Sequence, residues 1–495
     1  MSNKIAAAQK NPVLGKFLFC VILGVIIYFF MPAENGLTPL GVKLLSVFIP
    51  TVVCWLIIGG TGWSALLSVT MIVLLGVYDG NLTYQMQWGT ALIAMVIPFF
   101  MLAYVLEKSG AIEYFVKWLI SRKIVHGRPK LFMVIFAVSL IIINAFVHLY
   151  VVMVLYFKIL KQIATDIGET ETSSFYTAHG LLIGWISQFC DGTLIWMRPW
   201  IASMVAIIAS YGFSSFTISE FLKLSFLYLV VATVVLLLLI GVWVRPDLSK
   251  LKNFDDAAMR EELKKAPMSK TAKIAFIGMG VVMLCNVIAT VSFLGPVSSY
   301  FAALPYAAPV TLVVTLLAII YVEGKPVIDL GEAARYVPWE TLMFLGAIMF
   351  YASIFGGDEY GVNLLLQNLL TPLVNGIPLS VAILLGLAGA CIFTNLASNS
   401  VAVIVAGASF IPAMLNIPGI NHAQVLAFGA CIILASGTAI CTRSACGAMA
   451  LFYAKEHLPW NRKILSYGIV ICTIMILFAF FVLVPLGTNI YAGVV

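Results

Sequence analysis

Long apolar runs separated by short polar segments dominate the chain and predict membrane-spanning helices. About 20 apolar residues cross the hydrocarbon core of a bilayer. We predict a helix over each uninterrupted run, at about 17–31, 40–58, 62–77, 89–106, 219–244, 274–294, 300–322, 338–355 and 464–486. Segments 107–128 and 357–376 instead mix charged and apolar positions, which is typical of helices lying in the membrane interface.

Four other apolar stretches are interrupted by polar residues. Thr394-Asn395-Leu396-Ala397-Ser398-Asn399-Ser400 interrupts residues 379–416, and Asn144 and His148 interrupt 131–160. Irregular polar backbone at membrane depth must be buried in protein or line a cavity. We therefore predict two re-entrant hairpins, with tips at 394–400 and near 144–149. Stretches 174–213 and 422–454 are interrupted at 190–193 and 437–438, which predicts two broken helices.

The interruptions recur in order, which indicates two related halves. An offset of 251 residues pairs Trp88 with Trp339, Gly110 with Gly361, Asn144 with Asn395 and His148 with Asn399. Beyond the hairpins the offset becomes 245, pairing Thr193 with Thr438 and Arg198 with Arg443. An odd number of spans per half inverts the second copy, and broken helices in inverted repeats indicate a carrier with a midplane site.

The predicted fold class is therefore an all-α polytopic membrane protein. It has about 11 transmembrane helices in two inverted repeats, each containing a re-entrant hairpin and a broken helix. Residues 1–130 hold scaffold helices and the first interfacial helix, and 131–244 the first transport half. A charged cytoplasmic linker at 245–273 follows, then a second scaffold half with the second interfacial helix at 274–376 and a second transport half at 377–495.

Composition agrees with this class: 62% of residues are hydrophobic and 10% are charged, against about 25% charged in soluble domains. The net charge of +7 comes mainly from loops, so nucleic acid is not an expected partner. Lys4, Lys10 and Lys16 precede a first helix that we expect to be retained, with the N-terminus cytoplasmic and the protein in the plasma membrane. The nine cysteines are scattered as small buried hydrophobes, and no metal site or cofactor is predicted.

Three basic side chains in apolar stretches need partners, because a charge at the bilayer centre costs at least about 2.5–3.5 kcal/mol. Arg198 could pair with Asp191, either arginine could snorkel to the headgroups, and His148 could be a neutral core histidine. Together, however, two guanidinium forks and an imidazole suit a dianion such as a dicarboxylate.

The predicted substrate-binding residues share a place at the tips and breaks. They are Asn144, His148, Thr193, Arg198, Asn395, Ser398, Asn399, Ser400, Thr438, Thr442 and Arg443. Taken singly, each Ser, Thr or Asn could instead hold helices together by hydrogen bonds.

The tip at 394–400 resembles the Ser-Asn-Thr hairpin signature of the divalent anion/sodium symporter family, the INDY-type carriers, with Ser for the last Thr. Asp191-Gly192-Thr193-Leu194-Ile195 and Thr442-Arg443-Ser444 resemble its two broken-helix loops, and the Trp…Thr…Gly pattern of 88–110 and 339–361 also fits. The resemblance implies a homodimeric elevator carrier for di- or tricarboxylate anions. In that family the hairpins and broken helices move against a dimeric scaffold, and the motifs contact substrate and frame sodium sites.

Departures from the family pattern change the expected mechanism. Val147-His148-Leu149 replaces the first signature, and Arg198 and Arg443 stand where each loop would have its first proline. Like charges repel by several kcal/mol in a small site of low dielectric. We hypothesise that these fixed cations replace sodium. Because an empty site would keep them, only the loaded carrier crosses readily, which predicts sodium-independent exchange.

Three alternatives remain. One is a sodium- or proton-coupled symporter of the same family, with His148 as the protonation site. A channel is another, although broken helices in inverted copies favour alternating access. A membrane enzyme is the third, but the chain has no phosphate-loop motif, no H-E-x-x-H and no carboxylate pair placed for acid–base work. The sequence does not distinguish succinate, malate, α-ketoglutarate, tartrate and citrate as substrates.

Overall fold

A computed structural model gives the fold. It describes the chain except residues 1–11, 59–60, 123–126, 146–148, 194–200, 202–203, 206–207, 209–210, 214–215, 217, 254–255, 291–294, 305–306, 338, 356–358, 363, 366–367, 369–376, 397–398, 416, 418–419, 444, 454–456, 459 and 494–495. The described residues are predominantly helical, which confirms the all-α prediction. Their only sheet is a two-residue hairpin, in which β1 (Tyr321–Val322) pairs with β2 (Lys325–Pro326).

Several helices match the lengths that a bilayer requires. Within the described residues, five apolar helices are long enough to span it: Val13–Phe30, Gly80–Lys108, Glu220–Trp243, Leu379–Leu396 and Arg462–Tyr491. Five shorter apolar helices accompany them: Pro39–Trp55, Gly62–Leu74, Pro129–Asn144, Ala307–Ile319 and His422–Ser436. The chain is therefore a multi-pass membrane protein.

The first half and the linker contain eleven of the helices that the structure describes. They are α1 (Pro12–Phe30), α2 (Pro39–Ile57), α3 (Thr61–Leu74), α4 (Gly80–Trp88), α5 (Ala91–Lys108), α6 (Ala111–Ile120), α7 (Pro129–Asn144), α8 (Leu149–Asp166), α9 (Ser174–Thr193), α10 (Ile218–Trp243) and, in the linker, α11 (Asp256–Lys265).

The second half follows a similar order. Its helices in the described residues are α12 (Lys270–Thr290), α13 (Pro296–Ala303), α14 (Ala307–Ile319), α15 (Leu330–Tyr336), α16 (Trp339–Phe355), α17 (Leu379–Leu396), α18 (Asn399–Leu415), α19 (His422–Ser436), α20 (Gly447–Phe452), α21 (Arg462–Phe478) and α22 (Val484–Tyr491). Most of the predicted interfacial segment 357–376 lies outside the described residues.

The structure differs from the predicted elements in three places. The run at 300–322 divides after Leu304, whose extended backbone (ψ 136°) suits the residue before Pro305. The short helix α4 was not predicted, and it begins where Asp79 accepts a hydrogen bond from the Leu82 N–H at 2.9 Å. The final run continues to Tyr491 through a π-helical turn at Ala479–Leu483, just before a proline that cannot donate a backbone hydrogen bond.

Charged contacts tie the surface helix α6 to the linker. Lys117 Nζ lies 2.8 Å from a Glu262 carboxylate oxygen and 3.2 Å from one of Glu113. Burial raises the pKa of Glu113, but the hydrogen bonds and charges of Lys117 and Lys158 together outweigh burial and hold that pKa below 4.5. This ion pair therefore stabilises the fold above about pH 4.5, and its contribution is lost as pH falls through the lowered pKa.

Helices of the two halves interleave around the centre. Helix α3 packs on α16, α5 packs on α14, and α9 packs on α19. A Cβ added to Gly192, near the end of α9, would lie 2.8 Å from the Gly437 Cα, which follows α19. The ends of these two helices therefore touch backbone to backbone, and only glycine permits that approach.

Candidate functional site

The stretch after α19 is irregular backbone inside an apolar bundle, so its polar groups need partners within the protein. We call residues 437–446 the second loop. The Asn395 amide Nδ2 donates to the Cys391 and Thr438 carbonyls at 2.9 Å each. Its Oδ1 accepts the Cys441 N–H at 2.7 Å. Both donors of the amide are thus committed to the loop and to the preceding turn of α17.

Other side chains complete the support of the second loop. Thr442 donates its hydroxyl to the Asn395 carbonyl, and Thr394 donates to the Ser436 carbonyl at 2.7 Å. The Trp460 indole N–H donates to the Cys441 carbonyl at 2.9 Å, and the Tyr453 hydroxyl donates to the Ile440 carbonyl. The loop is therefore held in one conformation by bonds that leave Thr442 and Arg443 at its accessible side.

The first hairpin shows a related arrangement at Asn144. Its Nδ2 donates to the Leu140 carbonyl at 2.8 Å, four residues back, as Asn395 does to Cys391. It also donates to Ser187 Oγ at 3.1 Å. The buried Oδ1 of Asn144 and Nε2 of Gln188 have no hydrogen-bond partner among the described residues. These two groups are therefore available to a ligand or to water.

One carboxylate lies where the halves meet. Asp191, in the last turn of α9, is 4% exposed, and its Oδ2 accepts a hydrogen bond from Asn399 Nδ2 at 3.1 Å. Asn399 is the first residue of α18, so this bond joins α9 of the first half to α18 of the second half. The sequence suggested Arg198 as the partner of Asp191; Arg198 lies outside the described residues.

The two predicted threonines close the ends of their own helices. Thr193 donates to the Phe189 carbonyl at 2.9 Å, and Thr438 donates to the Ala435 carbonyl at 2.6 Å. Both side chains are fully buried. Substrate contact by their hydroxyls therefore stays a prediction, and their visible role is to complete the helix ends at the break.

Arg443 is the one predicted cation of the site that the structure describes. Its side chain is exposed, and no carboxylate among the described residues lies within ion-pair distance of it. His148, Arg198 and Ser398 fall outside the described residues, as does the side chain of Ser400. The described part of the site thus combines one accessible guanidinium with buried amides, hydroxyls and a carboxylate.

Sequence reasoning did not select several residues that support this site. Ser187 and Gln188 lie inside α9 at helical spacing among apolar residues, so nothing marked them beyond their polarity. Cys391, Cys441 and Cys472 were treated as small hydrophobes, yet Thr438 Oγ1 lies 3.1 Å from Cys391 Sγ. Only contacts between distant segments identify them.

Two observations limit what the site can hold. Among the described residues, no group of three His, Cys, Asp or Glu side chains is placed to bind a metal ion. A cavity of about 550 Å³ lies between α1, α2 and α3, but its lining is mainly apolar and includes no predicted site residue. At the second loop, the exposed Arg443 guanidinium can bind an anion, with the fixed dipoles of nearby amides and hydroxyls contributing.

The comparison with protein families agrees with this chemistry. A model of the CitMHS family, described as citrate transporter, matches residues 52–433. The match includes both hairpin tips and the first broken helix, and it ends just before the second loop. A search of curated proteins gave no significant match.

Proposed function

The chain belongs to the CitMHS family of citrate transporters, and from that membership we propose that it exchanges di- and tricarboxylates across the membrane without sodium. It is a carrier of carboxylate anions rather than an enzyme. The proposed substrates are citrate and the C4 and C5 dicarboxylates succinate, malate and α-ketoglutarate. The proposed binding site lies at the hairpin tips and helix breaks.

The observation that carries this proposal is the state of Arg443. A guanidinium presents a planar fork that binds a carboxylate through two hydrogen bonds. Here the fork is exposed, and it lies in a loop whose conformation is set by Asn395 and Trp460. A preorganised loop with an accessible cation binds an anion without spending binding energy on ordering the loop. Asn395 then acts as a positioning residue.

Exchange follows from cations that stay with the protein. Arg443, Arg198 and a protonated His148 carry three positive charges, and an ionised Asp191 offsets one of them. A bound dicarboxylate dianion neutralises the remaining two, whereas the empty site keeps them uncompensated. Moving even one such charge through the bilayer centre costs at least about 2.5–3.5 kcal/mol. The loaded site therefore crosses more readily than the empty one. The elevator movement, the homodimer and the inverted repeat are further parts of the proposal, supported by the family resemblance and the paired positions.

A thermal-shift panel tests the substrate class. Purified protein in detergent is heated with citrate, succinate, malate, α-ketoglutarate or tartrate, and with a monocarboxylate such as acetate as control. A ligand present at 100 times its Kd stabilises the folded state by about 2.7 kcal/mol. We expect citrate and at least one dicarboxylate to raise the unfolding temperature equally with sodium or choline as the cation. A shift seen only with sodium contradicts the sodium-independent part.

A second candidate is cation-coupled symport, which the Asp191–Asn399 contact favours. A carboxylate inside a membrane bundle commonly marks a proton or ion pathway. Replacing Asp191 with Asn removes the charge and keeps the shape. If a cation is coupled through this carboxylate, Asp191→Asn abolishes uptake driven by a proton or sodium gradient while exchange between equal solutions persists. Unchanged gradient-driven uptake in this variant would exclude Asp191 as the coupling group.

A further inference from the structure

Three thiols lie together behind the second loop, each contributed by a different segment. Cys391 is in α17, Cys441 is in the loop, and Cys472 is in α21. The sulfur atoms of Cys441 and Cys472 are 3.7 Å apart. The Cys472 thiol also donates to the Thr438 carbonyl at 3.5 Å, the same carbonyl that accepts from Asn395. The thiols thus contact the groups that shape the site.

The close approach of α21 to the loop depends on a glycine. Gly468 precedes Cys472 by one helical turn on the same face, and a Cβ there would lie 3.1 Å from Cys441 Sγ and 3.5 Å from its Cα. The missing side chain lets the helix backbone lie against Cys441. The Trp460 indole N–H also donates a hydrogen bond to the Cys441 carbonyl. Backbone contacts therefore keep Cys441 and Cys472 side by side.

This arrangement has no counterpart at the matching positions of the first half. The offset of 251 places Cys391 on Leu140, and the offset of 245 places Cys441 on Trp196 and Cys472 on Leu227. Buried cysteines are usually inert hydrophobes. Packing as a small hydrophobe, however, does not explain why thiols from three separate segments meet at one loop.

We propose that Cys441 and Cys472 form a reversible disulfide that fastens the second loop to α21 and stops transport. A disulfide has a sulfur–sulfur distance of about 2.0 Å, so the two sulfur atoms need to approach by about 1.7 Å. Cys441 is 6% exposed and adjoins the partly exposed Thr442 and the exposed Arg443. Cys472 is similarly buried, at 5% exposure, so a small uncharged oxidant reaches the pair through the accessible side of the loop at Thr442 and Arg443.

The proposed oxidation removes two electrons and two protons from the thiol pair. With a hydroperoxide as oxidant, its O–O bond breaks, one oxygen leaves as water and the other as an alcohol, and the sulfur–sulfur bond forms. A dithiol reductant reverses the step by exchange. The consequence for transport rests on the proposed function: drawing Cys441 toward α21 displaces Thr442 and Arg443, which directly follow it, from the preorganised positions in which they would bind a carboxylate.

The test treats purified protein in proteoliposomes with diamide, which takes up two hydrogens from a thiol pair. Peptide mapping by mass spectrometry without reduction identifies the linked cysteines, and citrate uptake is measured before oxidation, after it, and after dithiothreitol. We expect a peptide joining Cys441 to Cys472, and a loss of uptake of at least about tenfold that dithiothreitol restores. In Cys441→Ser and in Cys472→Ser, diamide leaves each variant's own uptake unchanged.

Control variants distinguish the proposed cysteine pair from other cysteines in the protein. Cys391→Ser, which keeps the proposed pair, remains sensitive to diamide, and so does Cys431→Ser, whose thiol is buried elsewhere in α19. A link between Cys391 and Cys472 instead, or inhibition that persists in Cys441→Ser, overturns the proposal. Mapping of the wild-type protein decides the linkage even if a serine variant fails to fold. It also decides the linkage if untreated protein transports no carboxylate, an outcome that counts against the proposed function alone.

Discussion

Replacing Arg443 with alanine isolates the contribution of its guanidinium to substrate binding. The side chain is exposed and has no ion-pair partner among the described residues, so its removal should change folding stability by no more than about 0.5 kcal/mol. A charge-assisted hydrogen bond to a carboxylate contributes about 1.5–3 kcal/mol. We therefore expect the substrate affinity of Arg443→Ala to fall about 10- to 150-fold, with the folded protein intact.

The assay is uptake of radiolabelled citrate into proteoliposomes over a range of concentrations, with thermal unfolding measured on the same preparations. Arg443→Lys keeps the charge but loses the planar fork, so its apparent KM should lie between those of the wild type and Arg443→Ala. Arg462→Ala is a matched control, because Arg462 is also an exposed arginine but begins α21 outside the second loop. Its KM should equal that of the wild type.

Two results would refute the reasoning about Arg443. One is a KM for Arg443→Ala equal to that of the wild type, which indicates that the guanidinium only reaches toward lipid headgroups. The other is an equal loss in Arg462→Ala, which indicates a general effect of surface charge. If Arg443→Ala, but not Arg462→Ala, unfolds at a lower temperature than the wild type, the loss of substrate affinity would be due to impaired folding.

Three further predictions concern the structure around the site. Gly437→Ala places a methyl group 2.8 Å from the Gly192 Cα, so it should lower the unfolding free energy by about 1–3 kcal/mol and reduce uptake. The control Gly280→Ala has open space around the added methyl group and should change neither; equal unfolding temperatures for the two variants would contradict the close contact. Asn395→Ala leaves the buried Cys441 N–H without its partner, at a cost of about 1–3 kcal/mol, and wild-type stability would exclude its role in the loop. Glu113→Gln should lower the unfolding free energy at pH 7 by at most about 1 kcal/mol after solvent screening; a difference that persists at about pH 3 would contradict the ion-pair origin.

The sequence predicted the places where helices break, because hydrocarbon makes polar interruptions easy to recognise. The tip at 394–400 falls between α17 and α18, and the break at 437–438 follows α19. The glycines paired by the 251-residue offset, Gly110 and Gly361, both adopt left-handed backbone, with φ of 72° and 66°. These features are local, because each depends on a few residues that are adjacent in the sequence.

The partners of the site residues could not be predicted in the same way. Asn395 bonds to Cys441 and Thr438, more than 40 residues along the chain, and Asp191 bonds to Asn399, which is 208 residues away. Periodicity contains no information about such contacts. The same limit explains why cysteines that look like ordinary small hydrophobes in sequence turn out to adjoin the second loop.

Counterflow in proteoliposomes measures directly whether transport is a sodium-independent exchange. Vesicles loaded with unlabelled citrate and matched empty vesicles are given external labelled citrate, in sodium and in choline buffers at equal pH on both sides. A carrier with fixed cations should show rapid uptake into loaded vesicles, little uptake into empty ones, and no difference between the two cations. Equal uptake into empty vesicles, or uptake that requires sodium, would contradict sodium-independent exchange.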